Sequence, residues 1–187
     1  MKLQLMIEEE FEIYKNKMYI EYAKVLAENL LLPYQEALAR AQEQIDTICD
    51  EDEKKGKNYA FNIINETGEY VGRLWIFINK NKKHTFIYDI RIFPKYQAQG
   101  YAKRTLSELE NLIKEKNMKS IILNVFGNNK VALELYKKLG FKEKYVSLIK
   151  SYQKPRIITL PRYLIFLQKL FINSGYKIVA IEMKKKI

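Results

Sequence analysis

A chain of 187 residues, 48% hydrophobic and 13% aromatic, carries enough apolar material for one packed domain and is not a disordered chain. Its single cysteine and single histidine exclude a disulfide framework and a Cys/His zinc site. The formal charge of +11 comes from 27 Lys and 6 Arg spread along the whole length, so it favours polyanionic small molecules without the arginine cluster that nucleic-acid recognition prefers.

The N-terminus "MKLQLMIEEEFEIYK" turns acidic at once and has no apolar core of signal-peptide length. No stretch approaches a membrane span, and the expectation is a reduced, cytoplasmic protein. From Glu8 to about Leu32, Phe11, Tyr14, Met18, Tyr22, Val25, Leu26 and Leu30 recur at helical spacing, and Pro33 ends the run. "YQEALARAQEQIDTIC" predicts a second amphipathic helix. The period then changes. "YAFNIIN" and "YVGRLWIFIN" read as strands joined by the hairpin signal "ETGE", and "HTFIYDIRIF" is a third strand. A helix follows Gly100, with Leu106, Leu109, Leu112 and Ile113 on its buried side. "SIILNVF" is a short buried strand, and "NNKVALELYKKLG" a helix with Gly140 as its C-terminal stop. This order predicts a mixed α/β (α+β) sheet: antiparallel first, then a parallel pair joined by the helix after Gly100.

Between that third strand and its helix lies "QAQGYA", residues 97–102. Gly100 lets the backbone turn, Ala102 keeps the approach open, and the first N–H groups of the helix point outward with the positive end of its dipole. Lys103 and Arg104 add charge. Small residues at a helix start are also commonly structural, so this hexapeptide alone decides nothing. A second block, "NVFGNNKVALELYKKLGFKE" from Asn124 to Glu143, comes after it.

Together "IYDIRIFPKYQAQGYAKRTL" and the second block resemble the GNAT superfamily of acyl-CoA-dependent N-acyltransferases, over roughly residues 59–143. The resemblance implies a GNAT fold with a splayed parallel strand pair and helices on both faces, a single domain over 1–187. It also implies acetyl-CoA as co-substrate, no metal, and a small-molecule or peptide amine as acceptor, with neither nucleic acid nor membrane as partner. Position by position it puts the coenzyme pyrophosphate on Gln97, Ala98, Gln99, Gly100, Tyr101 and Ala102, beside Lys103. The backbone of Ile92 and Phe93 would run along the pantetheine arm, Asn129 would bond to that arm or the nearby loop, and Tyr136 would protonate the departing thiolate. A phenol suits that task because it donates one proton and stays uncharged until then. On its helix Tyr136 also reads as a core aromatic.

Tyr88, Asp89, Arg91 and Asn124 are the candidate acceptor contacts. Asp89 is the only acid on its strand, and alternation places it on one face with Ile87, Arg91 and Phe93. It reads equally as a base and as half of an ion pair with Arg91. Relatives often carry an acid where Arg91 or Asn124 stands. That departure keeps open a non-catalytic acyl-CoA-binding protein; a basic nucleic-acid-binding domain ranks behind it. His84 reads as a solvated turn residue, Trp75 as core or pocket wall, and Cys49, among acids, as no nucleophile. Residues 146–176 are an atypical insertion before the last strand. Its apolar run "RYLIFLQKLFINSG" predicts a helix packed on the domain, a homodimer interface or a lid over the acceptor site, with packing or dimerisation favoured and a membrane-surface helix less so.

Overall fold

In the computed structural model, which describes residues 1–50, 56–150, 156–161, 172 and 176–187, the chain alternates strands and helices. In order these are β1 (Lys2–Leu5), α1 (Glu8–Leu30), α2 (Tyr34–Cys49), β2 (Lys57–Ile64), β3 (Tyr70–Asn79) and β4 (His84–Ile92). A 3-10 turn (Pro94–Tyr96) leads to α3 (Tyr101–Glu115), β5 (Ser120–Phe126) and α4 (Lys130–Lys138). The strands β6 (Lys142–Lys150), β7 (Arg156–Pro161) and β8 (Tyr176–Lys186) complete the described chain. Two compact units are distinguishable.

The first comprises Met1–Lys15, Cys49–Leu123 and Lys185–Ile187. Its strands lie in the order β1-β2-β3-β4-β5, antiparallel up to β4, with β4 and β5 parallel. A parallel pair needs a crossover, and α3 supplies it as expected. β1 was not foreseen: Lys2–Leu5 pairs with Ile64–Phe61 of β2. The hairpin "ETGE" is closed by Asn65, whose Oδ1 accepts from the N–H groups of Thr67 (3.0 Å) and Glu69 (2.8 Å). Ile63, Leu74, Ile76 and Ile78 are fully buried, as are Leu106, Leu109 and Ile113 at the one-face spacing of α3. A Cβ on Gly72 would meet the Arg91 carbonyl oxygen at 2.2 Å, so only glycine lets β3 approach β4 so closely there.

Two irregularities of β4 govern its open edge and the direction of its side chains. Its ladder with β5 runs only from His84↔Ser120 to Ile87↔Leu123, so Tyr88–Ile92 keeps β3 alone as a ladder partner among the described residues. Between those segments the register with β3 shifts: Trp75 faces Asp89 while Ile76 faces Ile87, and Tyr88 is the extra residue. Such a bulge re-aims side chains.

The second unit comprises Asn16–Ile48 and Asn124–Lys184. Ala23, Leu26 and Leu30 of α1, Leu32 between the helices, Ala37 and Ala41 of α2 and Val179 of β8 form its buried cluster. Tyr22 donates to Gln44 Oε1 (2.9 Å) and Tyr19 to Asp46, cross-linking the two helices after the Pro33 break. Its strands run β8-β6-β7, with both ladders antiparallel. β7 lies inside the anticipated insertion and pairs with β6, whose span Lys142–Lys150 already enters it. The anticipated helix at 162–175 falls outside the described residues except for residue 172. No helix among the described residues is long and apolar enough to cross a membrane.

Candidate active site

The end of β4 and the start of α3 form one continuous piece of backbone. After Ile92 the chain makes the 3-10 turn; Gln97 then folds back, its Nε2 donating to the Ile92 carbonyl at 2.9 Å. Gln97 is thus a staple that holds the loop against the strand. Ala98 (φ 59°) and Gly100 (φ 79°) both take left-handed backbone, which gathers successive N–H groups into a concave nest. Gln99 secures the loop through Nε2 to the Lys95 carbonyl at 3.0 Å.

The N–H groups from Ala98 to Lys103 meet no backbone acceptor among the described residues; intrahelical bonding starts with Arg104 N–H to the Gly100 carbonyl at 3.1 Å. No side chain caps this helix start, and Gln97–Gly100 are exposed. Unused donors at a helix N-terminus, reinforced by the dipole, make an anion receptor. Lys103 is exposed beside it. Arg104 is engaged elsewhere: Nη1 lies 3.1 Å from Glu66 Oε1 and the guanidinium covers the Tyr101 ring at 4.3 Å.

A Cβ on Gly100 would touch nothing within 4 Å, so a side chain there is opposed by backbone conformation alone. Gly100→Ala is therefore expected to cost about 1–2 kcal/mol of stability, measured by urea unfolding, without collapsing the fold.

Ile92 and Phe93 differ in what their backbone offers. Phe93 N–H donates to the Val71 carbonyl at 2.9 Å, and its own carbonyl accepts from Tyr96 N–H at 2.8 Å. In an antiparallel ladder successive residues turn to opposite edges, so Ile92 turns its N–H away from β3, toward the edge with no continuing ladder. Of the two, only Ile92 retains a donor for a ligand.

The bulge at Tyr88 corrects the expected face of Asp89. Asp89 shares a face with its partner Trp75, and also with Phe77 and Phe86; Ile87, opposite Ile76, points to the other side. Tyr88 joins Asp89's side, its ring 5.3 Å from Trp75 and 5.0 Å from Phe86. The first turns of α1 cover this surface. Phe11 and Tyr14 set their rings edge-on to Trp75 at 5.6 and 6.2 Å, and the Tyr14 hydroxyl donates to Asp89 Oδ2 at 2.8 Å. Arg73 and Arg91, cross-strand partners, complete the face.

Burial pushes the Tyr14 phenol well above its ordinary value and the adjacent Asp89 pushes it further, with Arg73 and Arg91 opposing. The unfolded chain therefore loses this proton first as pH rises, near pH ~10. The stability that Tyr14 contributes is full below that pH and is lost as pH climbs toward the folded value. Tyr14→Phe is expected to lack this loss, so wild type should fall relative to the variant in urea midpoints above about pH 10.

In the second unit, Asn124 is exposed on β5. Asn129 caps α4, its Oδ1 accepting from Ala132 N–H at 3.1 Å, so that oxygen is already in use while its amide N–H₂ remains a donor. Tyr136 is 7% exposed on α4 with its ring 5.5 Å from Phe141. It thus packs as a core aromatic while carrying a hydroxyl.

Tyr14 and Arg73 were not singled out from the sequence. Arg73 stands two residues from Trp75 and so on its face; Tyr14 looked like one more apolar position on α1.

A helix start with unbonded backbone N–H groups, directly after a β-strand with one open edge, has the chemistry to receive an anion in an α/β domain. The Acetyltransferase (GNAT) family model matches residues 21–141, and the chain belongs to that family. It is 27% identical over 141 residues to the uncharacterized N-acetyltransferase YdgE of Bacillus subtilis (strain 168), covering 74% of this chain and 90% of that protein. The crystal structure of Bacillus subtilis YycN matches with a TM-score of 0.69 at 23% identity, covering 84% of this chain and 98% of that one. A spermidine N-acetyltransferase from Vibrio cholerae, crystallised with CoA and spermine, matches at 0.59 and 15% identity over 99% of this chain and 94% of that one. At these identities the two structures establish a shared fold. Acyl transfer is the activity of the family to which the chain belongs.

Proposed function

We propose that the protein is a cytoplasmic N-acetyltransferase that moves the acetyl group of acetyl-CoA to a primary amine by direct attack, with no covalent enzyme intermediate. The observation that carries this reading is the run of unused N–H groups from Ala98 to Lys103 following the open-edged end of β4. These donors, with Lys103, suit a pyrophosphate. Acetyl-CoA, when bound, supplies the activated thioester; the chain's own residues supply proton handling and polarisation. Ile92 N–H is the donor for the thioester carbonyl oxygen, where negative charge grows during attack. Asp89, directly or through water, accepts the proton that the acceptor amine must lose. The Tyr136 hydroxyl gives a proton to the sulfur as it leaves, and the Asn129 amide is a donor to the pantetheine arm.

The test is calorimetric titration of acetyl-CoA into wild type and Gly100→Ala. Saturable binding that weakens in the variant is expected. Absence of coenzyme binding in wild type would reduce the loop to a connection and overturn the reading.

A further inference from the structure

The face that carries Asp89 also holds two arginines. Arg73 and Arg91 stand opposite each other across β3 and β4, with Asp89 two residues from Arg91. Tyr14 stays neutral, its phenol pKa held high. Like charges directly across a ladder are unfavourable, and the nearby carboxylates are engaged otherwise: Asp89 accepts from the Tyr14 hydroxyl, and Glu10 accepts from Asn62 Nδ2 and Ile7 N–H.

Arg73 is held by aromatic rings. Its guanidinium lies over the Tyr14 ring at 4.9 Å and near the Phe93 ring at 5.2 Å. Stacking of this kind holds the planar group in place without using its hydrogen-bond donors. Among the described residues it makes no hydrogen bond or ion pair, and its buried Nε has no acceptor. A buried donor left without an acceptor costs about 1–3 kcal/mol. A guanidinium offers two parallel N–H groups, which match the two oxygens of a carboxylate.

We infer that Arg73 is the receptor for a carboxylate on the substrate, so that the acceptor is an amine bearing a carboxylate, of α-amino-acid type, in preference to a polyamine. The one other source of the same group is a dicarboxylic acyl chain on the coenzyme. This deepens the acyltransferase reading and rests on it. A purely cationic acceptor would leave Arg73 without a counter-charge. An amine that also carries a carboxylate satisfies both: its anion meets Arg73 while its amine meets Asp89.

The experiment follows the ¹⁵N Nε–H signal of Arg73, assigned by its loss in Arg73→Gln. One arm titrates a panel of α-amino acids, each with its decarboxylated amine (lysine with cadaverine, tyrosine with tyramine), into CoA-loaded protein. The other compares acetyl-CoA with succinyl-CoA. A carboxylate-bearing probe is expected to shift the signal and to bind at least tenfold more weakly to Arg73→Gln, with Arg73→Lys recovering part of the loss and acetyl-CoA affinity unchanged. Response in the first arm places the carboxylate on the acceptor; response in the second alone places it on the acyl group and overturns the acceptor assignment. Intact acetyl-CoA binding with no response in either arm overturns the role of Arg73 itself. Failure of wild type to bind acetyl-CoA would instead remove the parent reading.

Discussion

Tyr136→Phe is expected to lower kcat by roughly 10²–10⁴-fold, the range a positioned general acid contributes, while coenzyme affinity stays near that of wild type. The substitution deletes one hydroxyl and keeps the ring that packs 5.5 Å from Phe141, so the α4 core is retained. Thermal unfolding then separates the two roles Tyr136 plays. A kcat loss with little change in Tm identifies proton donation to the thiolate. A large fall in Tm with proportionate loss of activity would mean that the hydroxyl serves packing alone. Raising the acidity of the leaving group should also lessen the variant's deficit, because a better thiolate needs less help.

Asp89→Asn is expected to have an effect of similar size, about 10²-fold or more in kcat at neutral pH. Asparagine keeps an oxygen for the Tyr14 hydroxyl, which in wild type donates to Asp89 Oδ2 at 2.8 Å, so the contact under α1 survives. What is lost is the basic oxygen and the negative charge beside Arg73 and Arg91. The pH profile distinguishes these losses. If Asp89 accepts the amine proton, the variant should recover toward wild-type rates as pH rises and the free amine becomes abundant. If Asp89 only balances the arginines, the deficit should persist at every pH and the midpoint of unfolding should fall instead.

The parts legible in the sequence were those set by local pattern. β3, β5 and α2 begin and end where the change from period 2 to period 3.6 and the turn residues place them, and the parallel β4–β5 pair follows from a crossover helix. β1 escaped notice because four residues, "KLQL", are too few to display alternation; the strand exists through pairing with Ile64–Phe61, far along the chain. The bulge at Tyr88 was equally invisible. A one-residue slip leaves no mark in composition, yet it moves Ile87 off the face of Asp89 and brings Tyr88 onto it. Tyr14 and Arg73 share that limitation. Their significance lies in the hydrogen bond to Asp89 and in the stacked guanidinium, both of which arise only when α1 lies across β3 and β4.

The loop at residues 97–102 was legible as a turn into a helix but not in its division of labour. Gln97 reads in the sequence as a ligand contact, and in the fold its side chain also ties the loop to the Ile92 carbonyl. Arg104 looked like added charge and is paired with Glu66. The capacity to hold an anion rests on backbone N–H groups, which every sequence possesses; what is particular here is the pair of left-handed residues, Ala98 and Gly100, that gather them.

Whether the protein transfers acetyl groups to amines is decided by release of free thiol from acetyl-CoA, followed with and without a panel of primary amines and amino acids. Saturable, amine-dependent release is expected in wild type, dropping at least a hundredfold in Tyr136→Phe. Tight acetyl-CoA binding with no amine-dependent release across the panel would contradict acyl transfer and leave a coenzyme-binding protein on an acyltransferase fold.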